Sequence, residues 1–461
     1  MRMALQGLDW LIGTLASPPQ TEPRLAWFTA LIPHWGTTQG RLVELRVSVA
    51  PIPVPMSLKS FVRIVSLALF IFLLSAPNVL AAPGPRAPLP KLLPAPPLPA
   101  VPSLGAKAYY LIDVQSGQVL AQKNADAHWP PASTTKLMTL YILLQEIRSG
   151  QMHLNTMLPI SEKAWRARGS RMFLKEGTSV SVSNLIQGIL VPSGNDAAVT
   201  VAEGVAGSTH AFVSLMNAYA KRLGMNNSHF TGVSGLPAKG LYVSAHDLAN
   251  LAEHMISEFP QVLQYASEKS FTYNKITQAN YNKLLWIDSS VDGLKTGWTQ
   301  EAGYNLVATA KRNGTRLIAV ILGVNPGPPS TAQGYRHLSQ VAESLFDWGF
   351  RFHTTRKLYP AATSLAKVRV WFGSPGTIQV GPAQALYVTV PKGRYSQLQA
   401  RMQLPTSLQA PIAKGQTIGR VEIRLNGKLL QSVPLISLQA APRGGLWLRM
   451  KDTVLSWFEK H

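Results

Sequence analysis

The 461-residue chain has no cysteine, which excludes disulfides, thiolate metal sites and a thiol nucleophile together. Acidic residues are scarce: 22 Asp and Glu stand against 44 Lys and Arg, a formal net charge of +22. A balance of that sign suits nucleic acid, an anionic membrane or an acidic polymer. No run of five or more Lys and Arg occurs, however, so the clustered footprint of a nucleic-acid binder is missing and no nucleic-acid partner is expected. The ten histidines include no His-Glu-x-x-His pair and no other ligand cluster, so neither a metal nor a cofactor is expected. Membrane-spanning length is also lacking, since the apolar run Ile64 to Leu74 covers 11 residues against the roughly 20 that a crossing helix needs.

What is present is 46% hydrophobic residues, enough for at least one sizeable core, in a chain long enough for two or three domains. Lys59 and Arg63, the apolar run and the small residues Ala81 and Ala82 together have the build of a secretory signal peptide over 56–82. Met56 is then the expected start, with 1–55 a mispredicted extension; the alternative is a cytoplasmic tail with an uncleaved anchor. Nine prolines among residues 83–102 give an extended spacer over 83–103.

Two strand-like runs around Ser116-Gly117 open the folded part, and helical periodicity follows in TKLMTLYILLQEIRSG, NDAAVTVAEGVAG and HAFVSLMNAYAKRLG. Strand signals return in GLKTGW, GYNLVATAKR and RLIAVILGV, the last two joined across Asn313-Gly314. Strands at both ends with helices between predict one α+β domain over 104–351, its terminal strands sharing an antiparallel sheet. From 352 to 440 short alternating runs such as VRVWFG and GRVEIRLNGKLL predict a small all-β domain. Residues 441–461 return to helical period, with Leu446, Trp447, Met450, Val454, Trp457 and Phe458 on one stripe and Arg449, Asp452, Ser456 and Lys460 opposite. Such a stripe is usually core; two tryptophans flanked by Arg443 and Lys460 favour an interfacial membrane anchor.

Three short motifs occur in order: Ser133-Thr-Thr-Lys136, Ser193-Gly-Asn195 and Lys295-Thr296-Gly297, separated by 60 and 102 residues. Singly each has a bland reading, namely a helix cap before a surface lysine, a turn with a cap, and an exposed edge strand. Ser364 and Lys367 repeat the first spacing with no other reactive pattern after them, and serve as an internal control. In sequence, the three carry the logic of β-lactamases and penicillin-binding proteins.

The chain resembles the serine-type D-alanyl-D-alanine carboxypeptidases, the low-molecular-mass penicillin-binding proteins, from about Ala106 to the C-terminus. The segments PASTTKLMT, RGSRMFLKEG, PSGNDAA, VDGLKTGWT, EAGYNLVATA and DWGFRF carry the resemblance. It implies a DD-peptidase/β-lactamase-like domain, an antiparallel sheet with a helical cluster, followed by the small β domain and a C-terminal amphipathic helix. It further implies peptidoglycan stem peptides as substrates, β-lactams as covalent inhibitors, and an exported enzyme attached peripherally to the outer face of the cytoplasmic membrane through the terminal helix. A histidine is expected where this chain has Trp298; a role through the backbone N–H survives that exchange.

The chemistry of the residues agrees. On a helix, Lys136 reaches the hydroxyl of Ser133, and a serine needs such a base to become a nucleophile. To serve, Lys136 must be neutral, which burial and a second cation at Lys295 encourage. Ser193 and Asn195 are suited to proton relay and to holding a substrate amide. Lys295 and Thr296 suit a terminal carboxylate, Gly297 lets a peptide lie against the strand, and the N–H groups of Ser133 and Trp298 suit an oxyanion hole. A β-lactamase and a DD-endopeptidase of the same fold are the alternatives. A class A β-lactamase uses a glutamate-activated water, and Glu162 and Glu176 lie in the intervening segment without a motif to nominate either.

Overall fold

The computed structural model describes residues 97–325 and 332–459; the expected extension, the signal peptide and most of the proline-rich spacer lie outside the described residues. Strands β1 (Ala108–Asp113) and β2 (Val119–Lys123) form the opening hairpin. Helices α1 (Lys136–Arg148), α2 (Val182–Leu190), α3 (Asn195–Ala206), α4 (Thr209–Arg222) and α5 (Ala245–Glu258) make the cluster that follows. The chain then returns as β3 (Val291–Thr299), β4 (Gly303–Arg312) and β5 (Thr315–Val324), before the long helix α6 (Ala332–Phe352).

The sheet order is β2-β1-β5-β4-β3, all antiparallel, so the first and last strands of the domain pair as expected, Tyr110 opposite Val320. Asn313 and Gly314, at φ of +49° and +83°, close the β4–β5 hairpin; the twist of this turn needs positive φ at both positions, which Asn and Gly tolerate best. Both faces of the sheet are covered. Ile318, Val320 and Leu322 of β5 pack on the helical cluster, while Leu317, Ala319 and Ile321 pack against α6. That is why RLIAVILGV reads as a continuous apolar run instead of an alternation. Helix α1 is buried on nearly all sides, with Leu137, Met138, Leu140, Ile142 and Leu143 fully enclosed, so the residues at its N-terminus are held by the core.

Helix α6 passes directly into β6 (His353–Tyr359), the first strand of the second domain. There β7 (Ala366–Trp371), β8 (Thr377–Pro382), β10 (Leu398–Gln403), β11 (Ser407–Gln409), β12 (Thr417–Leu425) and β13 (Lys428–Ser437) form a sheet in the order β10-β12-β13-β8-β7-β11. Strand β9 (Leu386–Pro391) pairs with β6. Val368, Val370, Ile378, Val388, Ile423 and Leu435 fill the core between them. A polar network joins the two domains. Fully buried Asp113 accepts from Ser116 N at 2.8 Å and from Thr355 Oγ1 at 2.7 Å, and Ser116 Oγ meets Thr389 Oγ1 at 2.6 Å.

The terminal helix α7 (Leu446–Glu459) lies on this β domain through its polar side. Asp452, expected among the solvated residues opposite the stripe, is instead 4% exposed: its carboxylate accepts from Phe372 N at 2.7 Å and pairs with Arg369 at 3.3 Å. Leu446, Trp447, Met450 and Val454 point away from the domain, Trp447 being 83% and Met450 64% exposed. The side chains of Trp457 and Phe458 lie outside the description. Among the described residues no helix is long and apolar enough to cross a membrane.

The sheet also fixes the loop before Ser133. Fully buried Asn305 on β4 donates through Nδ2 to Pro130 O at 2.8 Å and Pro131 O at 3.1 Å, and accepts from Gly323 N at 2.9 Å. Asn305→Ala takes the partner from Pro130 O and Gly323 N, while Pro131 O keeps the Thr134 hydroxyl, and is expected to cost about 2 kcal/mol of unfolding free energy while slowing reactions at Ser133. Denaturant unfolding alongside an activity assay checks this; a variant as stable and active as the parent would contradict the pinning role.

Candidate active site

Ser133 does not cap a helix. It sits inside a 3-10 turn, Ala132–Thr135, that runs into α1, and neither helix start there has a side-chain cap. Ala132 adopts φ of +48°, an uncommon conformation for a residue with a Cβ, which fits a turn fixed by its surroundings. Lys136, the first residue of α1, is 0% exposed, and its Nζ lies 2.7 Å from Ser133 Oγ, 3.4 Å from Ser193 Oγ and 3.1 Å from Ser234 O. The control pair Ser364 and Lys367 is exposed at the start of the β domain, and its lysine is not enclosed as Lys136 is.

The second motif is likewise not a cap. Gly194 occupies the N-cap of α3 without a side-chain bond, and Ser193 takes φ of +62° immediately before it. Ser170 Oγ donates to Ser193 O at 2.7 Å, Asn195 N donates to Ser170 O at 2.8 Å, and Asn195 Nδ2 donates to Arg168 O. Asn195 Oδ1 is buried with no partner among the described residues, an acceptor left open. Neighbouring Asp196 is spent on structure, its carboxylate taking the N–H groups of Met172, Leu174 and Ala197 at 2.9–3.1 Å.

The third motif lies on β3, the edge strand, yet Lys295 and Thr296 are buried rather than displayed. Lys295 Nζ donates to Thr296 O at 2.9 Å. Gly297 is required by proximity: a Cβ there would stand 2.8 Å from Ser133 N and 3.0 Å from Pro131 O, inside contact distance of backbone that cannot yield. Gly235 is under the same constraint, with Ala132 O 1.8 Å from where its Cβ would be. Trp298 is half-buried, its ring 6.2 Å from that of Tyr304.

All three motifs open on one cleft of about 610 Å³, lined by Ser133, Ser193, Asn195, Thr296, Gly297 and Trp298 and walled further by Ser170, Gly235, Leu236 and Tyr281. Lys136 and Lys295 are buried beside these lining residues, Lys136 bonded to Ser133 and Ser193 and Lys295 next to Thr296 in the chain. Burial lowers both ammonium groups: Lys295 falls to about 7, and Lys136 falls well below the ordinary lysine value because the Lys295 charge adds to its burial, with Asp196 opposing. Such an arrangement can keep an amine neutral beside a hydroxyl and a cation a short distance away. Among the described residues no cluster of His, Asp and Glu could hold a metal ion.

Sequence reasoning missed Ser234, Gly235, Ser170 and Asn305. Ser234 and Gly235 fall in a loop with no helical or strand period, and Asn305 reads as an ordinary strand residue; only the fold brings them to Ser133. A repeated Ser-Gly pair at 193–194 and 234–235 was a hint for the loop, while Ser170 and Asn305 lie in RGSRMFLKEG and EAGYNLVATA without a role being assigned to either.

Comparison with known proteins agrees with this geometry. The family described as D-alanyl-D-alanine carboxypeptidase, Peptidase S11, matches residues 96–326, and the family described as the C-terminal domain of penicillin-binding protein 5 matches residues 353–443. D-alanyl-D-alanine carboxypeptidase DacC of Escherichia coli K12 is 42% identical over 368 residues, 78% of this chain and 90% of that protein. DacA of the same strain is 40% identical over 369 residues, with the same shares. The crystal structure of penicillin-binding protein 5 from Haemophilus influenzae superposes with a TM-score of 0.70 at 38% identity, covering 75% of this chain and all of that one. A chain whose three motifs converge on one cleft, and which matches these relatives over both domains, belongs to the Peptidase S11 family of D-alanyl-D-alanine carboxypeptidases.

Proposed function

We propose that this hydrolase removes the terminal D-Ala from peptidoglycan stem peptides through an acyl-enzyme on Ser133, and that β-lactams acylate the same oxygen. The observation that carries the reading is a lysine amine fully buried, depressed in pKa and 2.7 Å from a serine hydroxyl in an open cleft. Neutral Lys136 takes the Ser133 proton as Oγ attacks the scissile carbonyl, and Ser193, 3.4 Å away, passes a proton to the departing amine. The N–H groups of Ser133 and Trp298 hold the oxyanion, while Asn195 holds the acyl amide. Thr296 and the Lys295 cation receive the terminal carboxylate, and Gly297 lets the peptide lie along β3. Water then releases the shortened peptide.

Nothing favours rapid β-lactam turnover. Glu162 pairs with Arg166 at 2.8 Å on the surface, Glu176 is exposed, and neither lines the cleft. Brief penicillin exposure followed by mass spectrometry should add one acyl group to the intact chain and locate it on Ser133. Ser133→Ala should abolish both labelling and D-Ala release; labelling that moved to Ser364, or persisted, would overturn the assignment.

The two lysines make the pH response specific. With folded pKa values below 10.5, both bind fewer protons in the folded state; for Lys295 the burial penalty is complete below about pH 7 and is relieved as pH rises toward 10.5, and for Lys136 it is likewise relieved as pH rises through its lowered folded pKa. Lys295→Gln removes the cation that depresses Lys136, so the Lys136 pKa should rise. The acid limb of the penicillin acylation rate should then move to higher pH. A limb that stays in place would mean that the base is not Lys136.

We also infer an exported protein held at the outer face of the cytoplasmic membrane by α7. The support is the outward apolar face of Leu446, Trp447, Met450 and Val454, with Arg443, Arg449 and Lys451 nearby to meet anionic headgroups. Because Asp452 ties the helix to the β domain, substitution tests this more cleanly than truncation. Trp447→Ser with Met450→Ser should leave a folded, active protein that no longer sediments with anionic vesicles. Unchanged sedimentation would place the attachment elsewhere.

A further inference from the structure

The segment from Lys163 to Lys175, KAWRARGSRMFLK, holds five Lys or Arg and no acid, and the catalytic scheme uses none of these charges. Its backbone is bolted to the second motif through Ser170, Arg168 O and the Asp196 carboxylate, so its position relative to the cleft is fixed. Gly169 and Ser170 line the cleft directly. Three of the five cations are engaged. Lys163 Nζ donates to Thr209 Oγ1, Arg166 pairs with Glu162, and Arg171 lies over the Phe173 ring at 5.5 Å while donating to Trp165 O. Arg168 is exposed, without a side-chain partner among the described residues, and is separated from Asn195 by a single hydrogen bond. Asp196, the carboxylate nearest in sequence to the motif, is saturated by backbone N–H groups and offers it no counter-ion.

We propose that Arg168 binds a carboxylate on the acyl portion of the substrate, carried by the residue one or two positions before the acyl D-Ala, and thereby selects acidic stem peptides. This rests on the reading that Asn195 holds the acyl amide. An extended peptide leaving Asn195 advances about 3.3 Å per residue, so its next one or two residues pass Arg168. A guanidinium meets a carboxylate through paired N–H donors, which an amide in its place cannot match. The surplus positive charge of this wall therefore has a use in substrate choice.

The test compares two D-Ala-D-Ala peptides that differ only in a free carboxylate or a carboxamide at the upstream residue. The readout is the ratio of their kcat/KM values within each variant, in which any general loss of activity cancels. The full-length protein should prefer the acid by roughly five-fold, through KM, the scale of a solvent-accessible charge pair. The preference should shrink at high salt. Arg168→Gln should bring the ratio to one, and Arg168→Lys should restore part of it. Lys175→Gln, which removes an exposed cation of the same segment, should keep the parent ratio. No preference in the parent, a ratio retained in Arg168→Gln, or an equal fall in Lys175→Gln would each overturn the proposal. Penicillin labelling of Ser133 in the parent reports separately on the underlying mechanism, so failure of the one is distinguishable from failure of the other.

Discussion

A buried lysine needs either a partner or the loss of its proton, and among the described residues Lys136 has no carboxylate within bonding distance. Its contacts are two hydroxyls and a carbonyl, and its nearest cation, Lys295, repels its charge. The site depends on this one frustrated ammonium. Losing its proton relieves the frustration and yields a free amine facing Ser133. The surrounding architecture maintains that state: α1 is enclosed by core on nearly every side, and β3 seals the front.

Close approach is the second constraint, and glycine meets it. The nucleophile turn is clamped between β3 at Gly297 and the loop at Gly235, where no side chain fits on either side. Asn305 holds the preceding prolines from beneath. The unusual backbone angle of Ala132, costing of order 1 kcal/mol, is sustained by these contacts, and that of Ser193 accompanies the bond from Ser170 Oγ to its carbonyl. Three elements far apart in sequence thereby meet at one cleft, Lys136 bonded to Ser193 and Gly297 closely approached by the Ser133 turn. The β domain is joined to this body by the Asp113 network, and carries on its far element an apolar helix face that it does not itself cover.

Much of the fold was legible because its signals are local. The Asn313-Gly314 hairpin, the helical period of residues 134–148 and the alternation of VRVWFG each follow from backbone preferences over a few residues, and the structure has each element where its pattern falls. The stripe on α7 was also legible, although the sequence placed Asp452 among solvated residues. A carboxylate on a polar face looks the same whether water or a backbone N–H receives it, and only the packing of α7 on Phe372 and Arg369 distinguishes them.

The sequence by itself determined the residue types of the site and their order, because Ser-x-x-Lys, Ser-Gly-Asn and Lys-Thr-Gly are contiguous and each is written in a few letters. It determined nothing about Ser234, Gly235, Ser170 or Asn305, whose importance lies in distances to residues up to about 175 positions away. It set Lys136 apart from Lys367 only by the two motifs that follow, and gave no physical cause for the difference. Tertiary structure supplied that cause: Lys136 is enclosed by core with a second cation near it, and a lysine's proton affinity is set by the medium around its nitrogen.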